Sequence, residues 1–186
     1  MTQKARLMGD TPPLRLPRLV EADPRGQQVI RLLSTQTRLL WQGGEWEVPV
    51  AALSEELSAA LRSACRAGKV VQGLEDARRC LADEQRGLRL ADRQSGVQRG
   101  IRVSRLLVLS ADGAERFYRS VESLLRMHGL RLLALRLDVD AATLGELVFG
   151  HGRSARLVML EHKDAVSEVL LALAGQEKRP LDDTGA

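Results

Sequence analysis

Residues 103–115 read Val103-Ser104-Arg105-Leu106-Leu107-Val108-Leu109-Ser110-Ala111-Asp112-Gly113-Ala114-Glu115. The apolar run Leu106–Leu109 is the pattern of a strand covered on both faces. Asp112 followed three residues later by Glu115 has the form of a capping box, which opens a helix with Phe117, Val121, Leu124 and Leu125 on one face and Gly129 as its stop. The same unit then recurs twice. Leu130–Leu137 is the next predicted strand, and Asp140 caps a short helix carrying Leu144, Leu147 and Val148. Leu157–Leu160 is a third strand, and Asp164 caps a last helix that aligns Val166, Val169, Leu170 and Leu173 before Gly175. This β-α-β-α-β-α alternation predicts an α/β fold, a three-layer α-β-α sandwich with a mostly parallel central sheet.

Upstream, Ser54 caps a predicted helix to Arg66, with Leu53, Leu57, Leu61 and Ala64 on one face and Gly68 at its end. A second helix starts near Leu74 and passes Leu81. Residues 83–101 form a basic insertion, and its glycine-punctuated part, 85–101, predicts an exposed, mobile segment. Val29–Leu33 continuing towards Leu39-Leu40-Trp41, and Trp46-Glu47-Val48, read as short β runs, with Gly43-Gly44 as the hairpin turn. The expected organisation is a disordered lead-in over 1–13, a small β-containing region over 14–50, the α-β-α domain over 51–175 and a disordered tail over 176–186.

Composition sets the bounds on function. The 186-residue chain is 44% hydrophobic and 28% charged, which is globular composition. Only 3% is aromatic, so the core must be built from Leu, Val, Ile and Ala, and stacking of bases on an aromatic platform is disfavoured. The net charge is +4, and between residues 86 and 105 Arg86, Arg89, Arg93, Arg99, Arg102 and Arg105 face a single acid, Asp92. Clustered cations of this kind supply the electrostatic part of nucleic-acid binding. No signal peptide or membrane-length apolar run is visible, so a cytoplasmic location is expected.

Little in the sequence points to catalysis. Cys65 and Cys80 lack metal-ligand spacing, and His128, His151 and His162 fall in separate elements. His128 at a helix end reads as a partner of the helix dipole. The loop Gly150-His151-Gly152-Arg153-Ser154-Ala155-Arg156 can approach phosphate, but it is neither a P-loop nor a dinucleotide fingerprint. The acidic neighbours Glu75-Asp76 and Asp83-Glu84 diverge on a helix, and no nucleophile elbow exists. A non-enzymatic protein without cofactor or metal is expected.

Four stretches resemble the kink-turn RNA-binding ribosomal protein family, and its bacterial YlxQ-type members in particular. They are Ala64-Cys-Arg-Ala-Gly-Lys-Val-Val71, Gln72-Gly-Leu-Glu-Asp-Ala-Arg-Arg79, Leu107-Val-Leu-Ser-Ala-Asp112, and Thr143-Leu-Gly-Glu146 following the turn His128-Gly-Leu-Arg131. The resemblance runs from about residue 53 to 174. It implies binding of structured RNA at the start of the second helix and at the loop 150–156. Lys69, Gly73 and Arg79 match family positions, and Asp76 replaces a family Glu. Leu74 and Glu75 stand where the family has Thr and Asn. Arg153 and Arg156 make the specificity loop basic. Asp23–Leu32 resembles part of a YlxR-type domain, without that domain's cysteines. The implied partners are structured RNA, the ribosome, or a protein held on the same scaffold. A receiver- or Rossmann-like reading of "LSADG" lacks the acidic cluster such folds need.

Overall fold

The computed structural model describes residues 15–96 and 102–176. In chain order its helices and strands are α1 (Arg18–Ala22), α2 (Gly26–Thr35), β1 (Thr37–Leu39), β2 (Glu47–Ala51), α3 (Glu55–Arg66), β3 (Val70–Gln72) and α4 (Leu74–Ser95). There follow β4 (Arg105–Leu109), α5 (Glu115–His128), β5 (Leu132–Leu137), α6 (Ala141–Phe149), β6 (Leu157–Leu160), α7 (Lys163–Ala172) and a 3-10 turn, Leu173–Gly175.

The strands form one six-stranded sheet in the order β1-β2-β5-β4-β6-β3. Strands β2, β5 and β4 run parallel, whereas β1 pairs antiparallel with β2, β6 with β4 and β3 with β6. The period-2 alternation of a strand sends successive side chains to opposite faces. Leu106 and Val108 therefore join one core with Leu133, Leu135 and Val158, beneath α1, α2, α3, α6 and α7. Leu107 and Leu109 join the other with Ala134, Leu157 and Met159, beneath α4, α5 and the β1–β2 hairpin. This is the three-layer α/β arrangement expected, with a sheet of mixed direction.

The N-terminal region differs from its expected form. Val29–Leu33 is not a strand but the middle of α2. Its buried residues Gly26, Val29 and Leu33 fall at i, i+3 and i+7, the helical period, and Ser34 and Thr35 return their hydroxyls to the carbonyls of Ile30 and Arg31. The hairpin is present, with Gly43 at φ 92°. A Cβ on Gly44 would lie 2.7 Å from Trp41 Nε1, so the turn is packed over that ring. Residues 15–50 share the sheet and core of the rest: β2 pairs with β5, and Val20, Val29 and Leu33 sit in the first core.

Four helix starts are also corrected or confirmed in detail. Ser54 caps α3 by accepting from Leu57 N, and Asp140 caps α6 by accepting from Thr143 N. Asp112 does not cap α5, which starts at Glu115 after Ala114; its carboxylate accepts from Ser110 Oγ and from Ala141 N at the start of α6. Asp164 lies inside the first turn of α7 and pairs with Lys69 Nζ at 3.0 Å instead of capping.

The largest difference is α4. The expected insertion 83–101 is, as far as Ser95, the second half of a 22-residue helix, Leu74–Ser95, capped by Gly73 and by Gly96, the latter in the left-handed conformation that ends helices. Arg, Leu, Ala, Glu and Gln are good helix formers and make up most of this stretch, with Gly87 its weakest residue. Residues 97–101, with Arg99, lie outside the described residues, as do 1–14 and 177–186 with the expected lead-in and most of the tail.

A polar cluster fastens α4 to the sheet. Glu84 accepts from Arg105 Nε at 2.7 Å and from the Arg105 terminal nitrogen, with Arg131 at 3.4 Å. Cys80 Sγ lies 3.7 Å from Glu161 Oε2, and burial with the nearby Glu84 and Glu161 charges raises its pKa. His128 ends α5 beside this cluster, with a buried Nδ1 that has no hydrogen-bond partner. Burial first, and the Arg131 charge second, hold its pKa below the ordinary value. The helix-dipole role, which favours the charged ring, is outweighed. For a base whose folded pKa is depressed, the unfolded chain takes the proton first. Stability is therefore full above about pH 6.5 and declines as pH falls from there to the folded value. Urea unfolding between pH 8 and 5 will show this loss, and His128→Gln will flatten the profile; an unchanged profile would exclude His128 as its source.

Candidate nucleic-acid interface

Strand β3 is short because only Val70 and Val71 are apolar before Gly73 turns the chain. Gly73 adopts φ 86° and ψ 164°, a region reserved for glycine, and its N–H bonds to Leu157 O, which aims α4 back across the sheet. Glu75 and Asp76 occupy the first turn, where the helix dipole favours acids. Arg78 pairs with Glu75 at 3.3 Å and Arg79 with Asp76 at 3.0 Å. Exposed pairs of this kind contribute about 0–1 kcal/mol, so neither carboxylate holds its arginine strongly.

The loop 150–156 arrives at this same place. Gln72 Nε2 donates to Ser154 O at 3.2 Å, joining the end of β3 to the loop. The loop is fixed from beneath by Ala155 N bonding to Ala141 O and by close packing on α6, where Gly145 leaves no room for a side chain. Arg153 and Arg156 are exposed on it. The Arg156 charge helps to keep Asp112 below the ordinary carboxylate range, where the Ser110 hydroxyl is the first cause. Glu146 draws in His151 Nδ1 at 3.6 Å.

Of the residues singled out in the sequence, Gly73, Glu75, Asp76, Arg153 and Arg156 thus lie at one end of the sheet, and Arg79 stands about a turn and a half further along α4. Lys69 does not join them. It immediately precedes β3, four residues and about 13 Å of extended chain from Gly73, and its ammonium is held by Asp164 on α7. Arg102 and Arg105 leave the arginine stripe too: Arg102 bonds Leu16 O and Glu21, and Arg105 turns inward to Glu84. Sequence reasoning missed Gln72 and Ser154; only a strand assignment for Val70–Gln72 would have brought them to notice.

Beside the first turns of α4 runs a groove of ≈ 600 Å³ lined by Val70, Val71, Gln72, Arg79, Cys80 and Asp83, among others. It follows the outer edge of the sheet. Glu161 N bonds Lys69 O and Gly73 N bonds Leu157 O, so Lys69 and Gly73 turn their backbone groups towards β6, and those of Val70 and Gln72 face outward.

No protein family and no curated protein matches the chain. Among solved structures, that of a protein of unknown function from Bacillus halodurans is similar, with 18% identity over 67% of this chain and 100% of that one, at a TM-score of 0.44. Among the described residues no helix is long and apolar enough to cross a membrane.

Proposed function

We propose that the protein binds structured RNA through the surface shared by the start of α4 and the loop 150–156, and that binding, not catalysis, is its role. The Gln72–Ser154 contact carries the reading, because it unites two segments distant in sequence into one surface. The N-terminal end of α4 and the two exposed loop arginines suit phosphates, whereas the carboxylates of Glu75 and Asp76 oppose them. The kink-turn family resemblance supports the same surface.

The test is titration of a labelled kink-turn stem at several salt concentrations. Arg79→Ala will weaken binding and lower the magnitude of the log-affinity against log-salt slope by about 0.7–0.9, the amount for one phosphate contact. Glu75→Asn will strengthen binding by about 1–2 kcal/mol, since it removes a carboxylate facing phosphate and adds a donor. A second reading, a protein-interaction module, is favoured by the open β3 edge beside the groove, which offers unpaired backbone groups to an added strand. If both substitutions leave RNA affinity unchanged and alter capture of a protein partner, that second reading holds.

A further inference from the structure

Helix α4 outlasts the body it packs on. Its buried residues are Ala77 and Leu81. Glu84 is its last anchor: among the described residues, nothing in α4 beyond it makes a hydrogen bond or ion pair with another element. Leu88, Leu90 and Ala91 belong to neither core; Leu88 and Ala91 are half-buried and Leu90 is 58% exposed. Helices in proteins draw most of their stability from packing an apolar face, and three turns standing clear of both cores lack that support.

The outer face of this arm has one sign of charge. At 100° per residue, Arg86, Arg89 and Arg93 fall within about 60° of arc and rise about 10 Å along the axis, with Leu90 about 40° beyond the Arg86 edge. Asp92 lies about 60° beyond the Arg89 edge of that arc. Arg86 is paired with Asp83, whereas Arg89 and Arg93 have no carboxylate partner among the described residues. Arg79 lies one heptad before Arg86 on the same line, so the basic track begins at the candidate interface and continues along a helix about 33 Å long.

We infer that the outer half of α4, residues 86–95, is a second contact surface for RNA: it lies along the phosphate backbone of a duplex stem extending from the site at the start of the helix. This rests on the RNA reading above and adds to it. The arm reads no sequence; it measures the length of the stem. Three cations spaced by helical geometry match a row of phosphates.

The probes are two labelled RNAs, a short kink-turn stem and the same stem lengthened by a turn of duplex, titrated with the full chain and with the triple variant Arg86→Ala/Arg89→Ala/Arg93→Ala. The parent will bind the longer RNA more tightly and with the steeper salt dependence. The variant will bind the two alike, and its slope on the longer RNA will be smaller by about 2–3, three phosphate contacts. Between 50 and 200 mM salt the parent will therefore lose roughly 20–60-fold more affinity for that RNA than the variant does. If parent and variant share one slope on the longer RNA while both bind the short one, the arm inference fails and the RNA reading stands. If the parent binds neither RNA, both fail. Self-association of the parent that the variant lacks, with equal slopes, would assign the arm to a protein contact and overturn the inference.

Discussion

Trp41→Phe will lower stability by about 1–3 kcal/mol in urea unfolding at pH 7, the cost of leaving a buried polar group short of a donor. Trp41 Nε1 donates to Glu122 Oε2 at 2.7 Å, and the Glu122 carboxylate, only 6% exposed, receives Arg126 at 2.6 Å on its other oxygen. These contacts fasten the β1–β2 hairpin to α5. Phenylalanine keeps a ring for the Arg119 guanidinium, which lies 4.5 Å from the Trp41 ring centre, but it brings no donor. Burial raises the Glu122 pKa, and Arg126 and Trp41 together overcome it, leaving it below the ordinary value. A carboxyl with a depressed folded pKa stabilises above the unfolded value, near 4.5, and that contribution disappears as pH falls through the folded one. The variant's acid-side loss will accordingly be smaller. It will not vanish: Arg25 holds Asp23 at about 2, and hydrogen bonds also lower Asp112, Asp140 and Asp164, so these act over the same acid range. A double-mutant cycle with Glu122→Leu isolates the contact, because removing both partners is less costly than orphaning one. Additive effects of the two changes would show that the pair carries no coupling.

Whether an element was legible depended on whether its signal was local. Strands β4, β5 and β6 are apolar on both faces, and no other reading fits their length. Ser54 and Asp140 cap helices by contacts within three residues. Val29-Ile30-Arg31-Leu32-Leu33 satisfies a strand and a helix equally; the decision lies at Gly26, whose Cβ position is occupied by Val20 O at 2.2 Å. Asp112 has the spacing of a cap, but Ser110 and Ala141 claim its carboxylate, and Ala141 is distant in sequence. The outer half of α4 hides its period because no core sorts its faces. The candidate site was half legible. Its residue types were visible, but the junction at Gln72 and Ser154 is a side chain meeting a backbone carbonyl 82 positions away, which no local pattern encodes. Lys69 and Gly73 both match positions of the resembled family, but the strand Val70–Gln72 between them sets them at opposite ends.

Gly145→Ala will both destabilise the protein and release the loop 150–156 from the start of α4. Gly145 lies buried in α6 with ordinary helical backbone, so alanine there would by propensity alone add up to about 1 kcal/mol. Space decides otherwise. The new Cβ would stand 2.4 Å from Ser154 Cα and 2.5 Å from Arg153 O, which are backbone atoms and cannot rotate aside. Overpacking of this kind costs about 1–3 kcal/mol, and relief requires the loop to back away from α6. That movement carries Ser154 O from Gln72 and withdraws Arg153 and Arg156 from the surface they share with Gly73. Gly87→Ala is the matched comparison, the same substitution in a helix where the added Cβ meets nothing within 4 Å. Its urea midpoint will rise or stay level while that of Gly145→Ala falls. Under conditions where both remain folded, only Gly145→Ala will weaken binding of the short kink-turn stem, with a slope smaller in magnitude by about 1.4–1.8 for two lost phosphate contacts. If Gly145→Ala binds that stem as the parent does, at the same slope and despite a displaced loop, then Arg153 and Arg156 are not part of the RNA surface and α4 alone must account for it.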